Sequence, residues 1–375
     1  MKNVLGLIIA FDTDNDLREL TDHRTVAAVP FGGRYRIVDF MLSNMANAGI
    51  FRIGLLMKDK YQSLIDHIGT GKDWDLSRKN GGITLLPPYS FSKKASPLVT
   101  GEYRGKIDAL AGAIDYLQKT RADYVVLADG DLIANIDLRE VLKAHEAGGN
   151  DITMVVTKKS ADNPYTTYCE LNRKREIVDI RVGDNNDGKC KYSALGVYVM
   201  SRQYLIHLIA DCVTHNCIHF ERELLARALN DSNIGAYVFN EYNMKVFDAK
   251  DYFQANMDIL DKDCRDELFL RTRPIFTRIY DESPAYYGDQ AEVSDCLVAD
   301  GCHIEGKVTN SILFRDVLVE KDAEIKNSII MENGRILTGA SLAHMVLDRG
   351  VTIREGRTMM GHENYPVVVA KRSVV

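Results

Sequence analysis

The chain has no apolar run approaching the ~20 residues of a membrane span, and its amino end lacks the basic, then apolar, then small-residue order of a secretory signal. Basic residues are not in excess either: 47 Lys and Arg stand against 53 Asp and Glu, for a formal charge of −6. That balance argues against nucleic acid or a membrane surface as partner. The seven cysteines, at 169, 190, 212, 217, 264, 296 and 302, are odd in number and form no C-x-x-C pair. Scattered thiols suit a reducing compartment, so a cytoplasmic protein is expected. One crowded stretch offers Cys212, His215, Cys217 and His219 as zinc ligands. Structural zinc draws on two separated pairs, so a loop between helices is the better reading.

A further absence is local. Leu5 to Ala10 is an apolar run that reads as a buried parallel strand, and the loop after such a strand is where α/β proteins bind phosphate with glycine-rich backbone. Here that loop is Phe11-Asp12-Thr13-Asp14-Asn15-Asp16, without a glycine. Its carboxylates would repel a triphosphate by roughly 3 kcal/mol per charge pair at ~5 Å and an effective dielectric of ~20. The Asp12-x-Asp14-x-Asp16 spacing imitates a calcium loop, but Leu17 and His23 stand where that loop needs Gly and Glu, so a solvated acidic turn is expected.

At 375 residues and 46% hydrophobic composition the chain supports about two domains. Helical spacing from Phe40 to Ala48, a strand at Ile53 to Met57, a helix over Lys60 to Ile68, a short strand at Ile83 to Leu86, a helix over Ala109 to Lys119 and a strand at Tyr124 to Ala128 alternate along the first part. That order predicts a doubly wound, mostly parallel sheet. Asp261 to Pro284 reads as a charged linker, broken by Pro274 and Pro284. Beyond it, Val293, Val298, Ile304, Val308, Ile312, Val317, Ile325, Ile329, Ile336, Val346 and Ile353 recur about every six residues, with Asp, Asn and Gly between them. A hexapeptide period predicts a parallel β-helix, with a β-sandwich as the alternative. The expected division is a domain over 1–260, a linker over 261–284 and a β-helix over 285–375.

The block Phe31-Gly32-Gly33-Arg34-Tyr35-Arg36-Ile37-Val38-Asp39-Phe40 with Leu42-Ser43-Asn44 resembles the bacterial glucose-1-phosphate adenylyltransferases (ADP-glucose pyrophosphorylases). That resemblance implies a Rossmann-like nucleotidyltransferase domain followed by a left-handed β-helix. It also shows what has changed. The three glycines of the family's phosphate loop fall on Phe11, Asp12 and Asp14, its arginine on Asp16 and the lysine of R-A-K on Val26. In the segment similar to W-Y-R-G-T-A-D-A, Tyr103, Arg104, Gly105 and Asp108 match as remnants of nucleotide binding, while Lys106 and Ile107 replace Thr and Ala. Asp131 matches the catalytic, magnesium-binding aspartate. Counting back from the helix containing Tyr252 places Lys245 at the second metal aspartate, unless a slip recruits Asp248. The sugar-phosphate lysine falls on Gly183, and the family's H-D-F-G is blurred into Ile218-His219-Phe220-Glu221.

These losses on a kept scaffold imply a GlgD-type, non-catalytic regulatory subunit. It would pair with a catalytic homologue in a hetero-tetrameric glucose-1-phosphate adenylyltransferase of glycogen synthesis. Such a subunit needs no cofactor of its own; an active enzyme would need Mg²⁺, held by Asp131 and Asp248. Arg24, Arg34 and Arg36 are candidate contacts for a sugar-phosphate or nucleotide effector, with Arg34 and Arg36 equally readable as internal partners of Asp39 or its neighbours. The alternatives are an active sugar-1-phosphate nucleotidyltransferase with a drifted loop and a stand-alone sugar-phosphate sensor.

Overall fold

A computed structural model describes residues 3–11, 15–88, 103–158, 163–183, 185 and 188–375. Alternation along the first strand, β1 (Val4–Ile9), explains why it lies at the centre of a doubly covered sheet. Leu5, Leu7 and Ile9 enter one core and Ile8 the other, all at most 3% exposed. Successive residues of a strand face opposite ways, so an unbroken apolar run buries both faces. Helix α1 (Ile37–Asn47) crosses close to β1: a Cβ on Gly6 would lie 2.5 Å from Met45 Sδ.

The chain then runs through β2 (Arg52–Leu56), α2 (Gln62–Ile68), β3 (Gly82–Leu86), α3 (Lys106–Gly112), α4 (Ile114–Lys119), β4 (Tyr124–Asp129), β5 (Leu132–Ala134) and α5 (Leu138–Gly148). After these come β6 (Ile152–Thr157), β7 (Thr167–Leu171), β8 (Ile177–Val182), β9 (Tyr192–Ser201), α6 (Arg202–Thr214), α7 (Ala226–Asp231), β10 (Ile234–Val238), β11 (Asn243–Lys245) and α8 (Ala249–Asp258). The main sheet has nine strands, ordered β8-β7-β9-β4-β1-β2-β3, with β6 and β10 added beside β9. β1 pairs in parallel with β2 and β4, whereas β9 runs antiparallel to β4, β6 and β7. The sheet is therefore mostly parallel on one side only.

Three details differ from expectation. The first helix starts at Ile37, and the helix expected over 109–119 is two, broken at Ala113. The stretch read as a linker opens with a helix, α9 (Lys262–Leu268), whose first-turn amides of Asp263 and Cys264 donate to Asp261 Oδ1. Its charge hid it, because a short helix capped by an aspartate needs little apolar surface.

From Tyr286 to Val369 the chain forms three parallel sheets of five short strands each, the architecture of a left-handed β-helix built on hexapeptide repeats. Ile304, Val319, Ile336 and Ile353 stack along one sheet, and Val308, Ile325 and Leu342 along the next, all essentially buried. Turns between strands require left-handed backbone at non-glycine residues, which Asn and Asp tolerate best. Asn310, Asn327 and His344 stack at one such corner, with φ of 44°, 44° and 53°, and Asn310 Nδ2 donates to Asn327 Oδ1 at 2.7 Å.

The two parts share one apolar core: Phe31, Phe40, Tyr252 and Phe253 pack with Ile312, Phe314, Met331 and Val346. The Phe31-to-Arg36 block is the hinge of that seam. It turns on Gly32 and Gly33 (φ 58° and 82°), and a Cβ on Gly33 would lie 3.7 Å from the Leu313 carbonyl. Among the described residues no helix is long and apolar enough to cross a membrane.

Candidate functional site

Sequence reasoning singled out Asp131; its neighbour Asp129 proves to be the centre of the site. Asp129 ends β4 and is 4% exposed. Lys106, in the first turn of α3, reaches it at 2.8 Å and also reaches Glu221 at 2.6 Å. Lys245, the last residue of β11, donates to Asp129 Oδ2 and, at 3.0 Å, to Asp131 Oδ1. Asn15 Nδ2 donates to Asp131 Oδ2 at 3.1 Å, and Tyr198 OH donates to Glu221 at 3.2 Å. Two ammonium groups are thus laced through three carboxylates.

Local geometry was arranged for this network. β9 carries a register irregularity between Ala194 and Tyr198, at Gly196 with φ 74°. A Cβ there would run into Asp129 Oδ2 and lie 2.8 Å from Lys245 Nζ, so glycine is needed for space as well as for conformation. Glu221 comes from Phe220–Leu225, a stretch of π-helix whose entry is tied by Glu223 accepting from the Ile218 and His219 amides at 2.6 and 2.7 Å. The wide turn aims Glu221 inward.

The electrostatics follow from burial. Burial alone would strip the proton from Lys106, but Asp129 and Glu221 outweigh it and raise its pKa. Burial opposes the charge on Lys245 too, and Asp129 and Asp131 overcome it. Burial would raise the Asp129 carboxyl, yet the two ammoniums hold it below the usual carboxylate range. The Tyr198 phenol is pushed well up by burial and then by Glu221. Lys106, Lys245 and Asp129 are therefore charged at neutral pH.

A divalent ion fits this arrangement poorly. Asp131, which the resemblance matches to a metal-binding aspartate, is itself in contact with the Lys245 ammonium at 3.0 Å. Asp248 is engaged elsewhere. It caps α8 by accepting from the Asp251 amide at 2.8 Å, and its backbone bridges to Asp16. Nor do Cys212, His215, Cys217 and His219 converge: no group of three or more His, Cys, Asp or Glu among the described residues is placed to hold a metal ion.

On the side where a nucleotide would enter, Phe11 is buried and its ring lies 6.3 Å from that of Tyr103. The void left between Ile9, Phe11, Ala27, Lys106 and Asp129 is about 10 Å³, room for a single water at most. The remnants beside it serve the fold. Asp108 accepts both from the Arg104 amide at 3.0 Å and from its guanidinium, while Gly105 has no room for a Cβ, which would lie 2.6 Å from the Ile218 carbonyl. Gly183, at the sugar-phosphate lysine position, makes a tight turn at φ 77° against Pro164. Asp12 and Asp14 lie outside the described residues, and Asp16 Oδ1 accepts from the Arg18 amide at 3.1 Å.

The three arginines part company. Arg24 is buried and paired with Asp348 of the β-helix. Arg36 donates to the Ser63 carbonyl and hydroxyl at 2.8 and 2.7 Å. Arg34 is exposed, with its guanidinium over the Tyr35 ring. Asp39 takes neither guanidinium: His67 bonds it at 2.6 Å and the Arg36 backbone amide at 2.9 Å.

Near the network, Asp251 is raised to about 6 by burial and then by Asp248. A carboxyl raised above its unfolded value of 3.8 prefers its proton in the folded state, so it costs stability increasingly as pH rises from about 4 to 6. Asp251→Asn keeps the oxygen that accepts from the Phe247 amide. The expected gain, discounted for partial exposure, is about 1 kcal/mol at pH 7 and nothing at pH 4, read from urea melts at both pH values.

Comparison with known proteins agrees with the two-part architecture. A nucleotidyl transferase family profile matches residues 7–262, and a GlmU-like C-terminal hexapeptide profile matches 283–365. The chain is 34% identical over 333 residues to a glucose-1-phosphate adenylyltransferase of Geobacillus stearothermophilus, covering 87% of this chain and 84% of that one. It is 31% identical to the glycogen biosynthesis protein GlgD of Bacillus subtilis, covering 98% and 96%. A Fervidobacterium nodosum glucose-1-phosphate adenylyltransferase is likewise 31% identical, covering 96% of this chain and 87% of its own. By its fold, its Phe31-to-Phe40 block and similarity along nearly the whole of such relatives, the chain belongs to the glucose-1-phosphate adenylyltransferase family of nucleotidyl transferases.

Proposed function

We propose that this protein is a non-catalytic, regulatory subunit of a hetero-oligomeric glucose-1-phosphate adenylyltransferase serving glycogen synthesis in the cytoplasm. The observation that carries the reading is Lys245, whose ammonium bonds both Asp129 and Asp131. Nucleotidyl transfer needs a divalent ion between carboxylates and phosphates to neutralise charge developing at phosphorus. An internal cation already pairs with these carboxylates, and the buried Phe11 ring leaves a void of only about 10 Å³ beside them. Similarity to GlgD over nearly the whole chain supports the same reading.

The domain seam supports a regulatory role for Arg24 and Arg36. Arg24, Arg36, Arg315 and Lys371 gather there against Asp348 and Glu332. Buried Arg315 Nε has no hydrogen-bond partner among the described residues, and its guanidinium lies over Tyr280 at 4.5 Å. An excess of confined cations suits a phosphorylated effector. Arg34, exposed on its turn, is not part of that group.

The test is an adenylyltransferase assay with ATP, glucose 1-phosphate and Mg²⁺. This protein, a catalytic homologue and their mixture are run separately. No turnover by this protein alone is expected, with raised activity or an altered effector response in the mixture. Turnover by the purified protein that disappears in Asp131→Ala would overturn the proposal.

A further inference from the structure

At the opposite end of the sheet from Asp129, the amino ends of β1, β2 and β4 meet the outer flank of α5 around a cavity of about 550 Å³. The carboxylate cleft itself offers about 50 Å³. The two are unconnected in chemistry: β4 contributes Tyr124 to the cavity and Asp129 to the network. We propose that this cavity binds a small amphipathic anion, an apolar body carrying one carboxylate, sulfonate or phosphate.

Its shape comes from α5. Leu138, Val141 and His145 turn one face of that helix into the core. Arg139, Leu142, Lys143 and Glu146, spaced i, i+3, i+4 and i+7, line the cavity with a second face. Across from them stand Val4, Ile50 and Phe51, whose ring carries the Arg78 guanidinium at 3.5 Å. Gly49 and Gly81 leave the rim without side chains; their φ of 77° and 107° are left-handed conformations in which a substituent would be strained. The volume falls within the range of about 300–1,000 Å³ typical of small-molecule sites, which combine apolar walls with a few placed polar groups.

Charge selects the ligand's sign. Arg139 is committed to Asp137 through Nε and a terminal nitrogen, at 2.9 and 2.8 Å, and Lys143 to Glu140 at 2.7 Å. Arg52 opens β2 in the cavity wall, half-buried, and has no carboxylate partner among the described residues. Its charge acts on the Tyr116 phenol, a neutral neighbour that does not pair it. An acid group would satisfy it while the ligand's body covers Ile50, Phe51 and Leu142.

The probe is 8-anilinonaphthalene-1-sulfonate, titrated into the full-length protein by fluorescence, with inorganic phosphate as a second arm. The expected result is saturable binding of one probe per chain. Arg52→Gln should weaken it about tenfold, the loss of one charge-assisted hydrogen bond. Leu142→Trp, which fills the cavity, should abolish it, and Lys321→Gln, exposed on the β-helix, should leave it unchanged. Phosphate alone should compete weakly, since it lacks the apolar body. Thermal midpoints of the three variants equal to that of the parent certify the comparison. Binding that never saturates, exceeds one probe per chain, or is unmoved by both Arg52→Gln and Leu142→Trp would overturn the proposal. So would loss of the probe when the catalytic homologue is added, which would make the cavity a subunit contact.

Discussion

Asp129→Asn is expected to destabilise the amino-terminal domain by about 3–5 kcal/mol at pH 7, the cost of leaving buried charges uncompensated. The substitution removes the one carboxylate that both Lys106 and Lys245 contact. Two ammoniums would then face each other in a site that excludes water, with Glu221 and Asp131 left to hold one each. Urea denaturation at constant slope would report the loss as a lower midpoint. The pH dependence has a definite sign. Asp129 is held below its unfolded value of 3.8, so its contribution is present above that pH and disappears as pH falls through the folded value. Lys106 and Lys245 are raised above 10.5, so theirs is complete below that pH and is lost only as pH rises beyond it. Parent and Asp129→Asn should therefore differ across pH 5 to 9 and converge in strong acid. A variant as stable as the parent at pH 7 would mean that the network is solvated and ornamental.

The second large effect is a gain. In the Lys106→Thr, Lys245→Asp double variant, both internal cations are removed and a carboxylate is placed beside Asp129 and Asp131. Mg²⁺ or Mn²⁺ is expected to bind there and to stabilise the folded chain by about 2.7 kcal/mol at one hundred times its dissociation constant. The parent should show no such response. Without metal the double variant should be markedly less stable than the parent, because four carboxylates would stand in the site without an ammonium. The readout is thermal unfolding with and without metal, which separates ion binding from turnover; Phe11 still closes the nucleotide side, so activity is not expected to return. A double variant indifferent to both metals would show that these strands no longer hold the geometry of a metal site.

Much of the fold was legible in the residues themselves. The unbroken apolar run of β1 required a sheet covered on both faces, and the hexapeptide spacing from Val293 to Ile353 required a coil that buries one aliphatic per short strand. These are periodic signals that depend on neighbours in sequence. The changes at Phe11, Lys245 and Gly183 were read by counting along the motifs of the resembled family. What the motifs could not supply was the partner of each change. Lys106 and Lys245 are 139 positions apart (245 − 106), and Glu221 lies on a π-helical turn with no signature of its own. One signal was available: two lysines at positions where the resembled family has Thr and Asp form, with Asp129, a set of compensating charges. Sequence alone gave no reason to add them together.

The sequence by itself determined the two-part architecture and the family, since strand periodicity and the Phe31-to-Phe40 block are local properties that survive without contacts. Only the tertiary structure decided what the altered site had become. Burial makes an isolated carboxylate costly, so Asp129, brought by β4 to the same point as α3 and β11, persists because two ammoniums converge on it. That convergence is a fact of packing. It turns a set of apparent losses into one internally paired cluster.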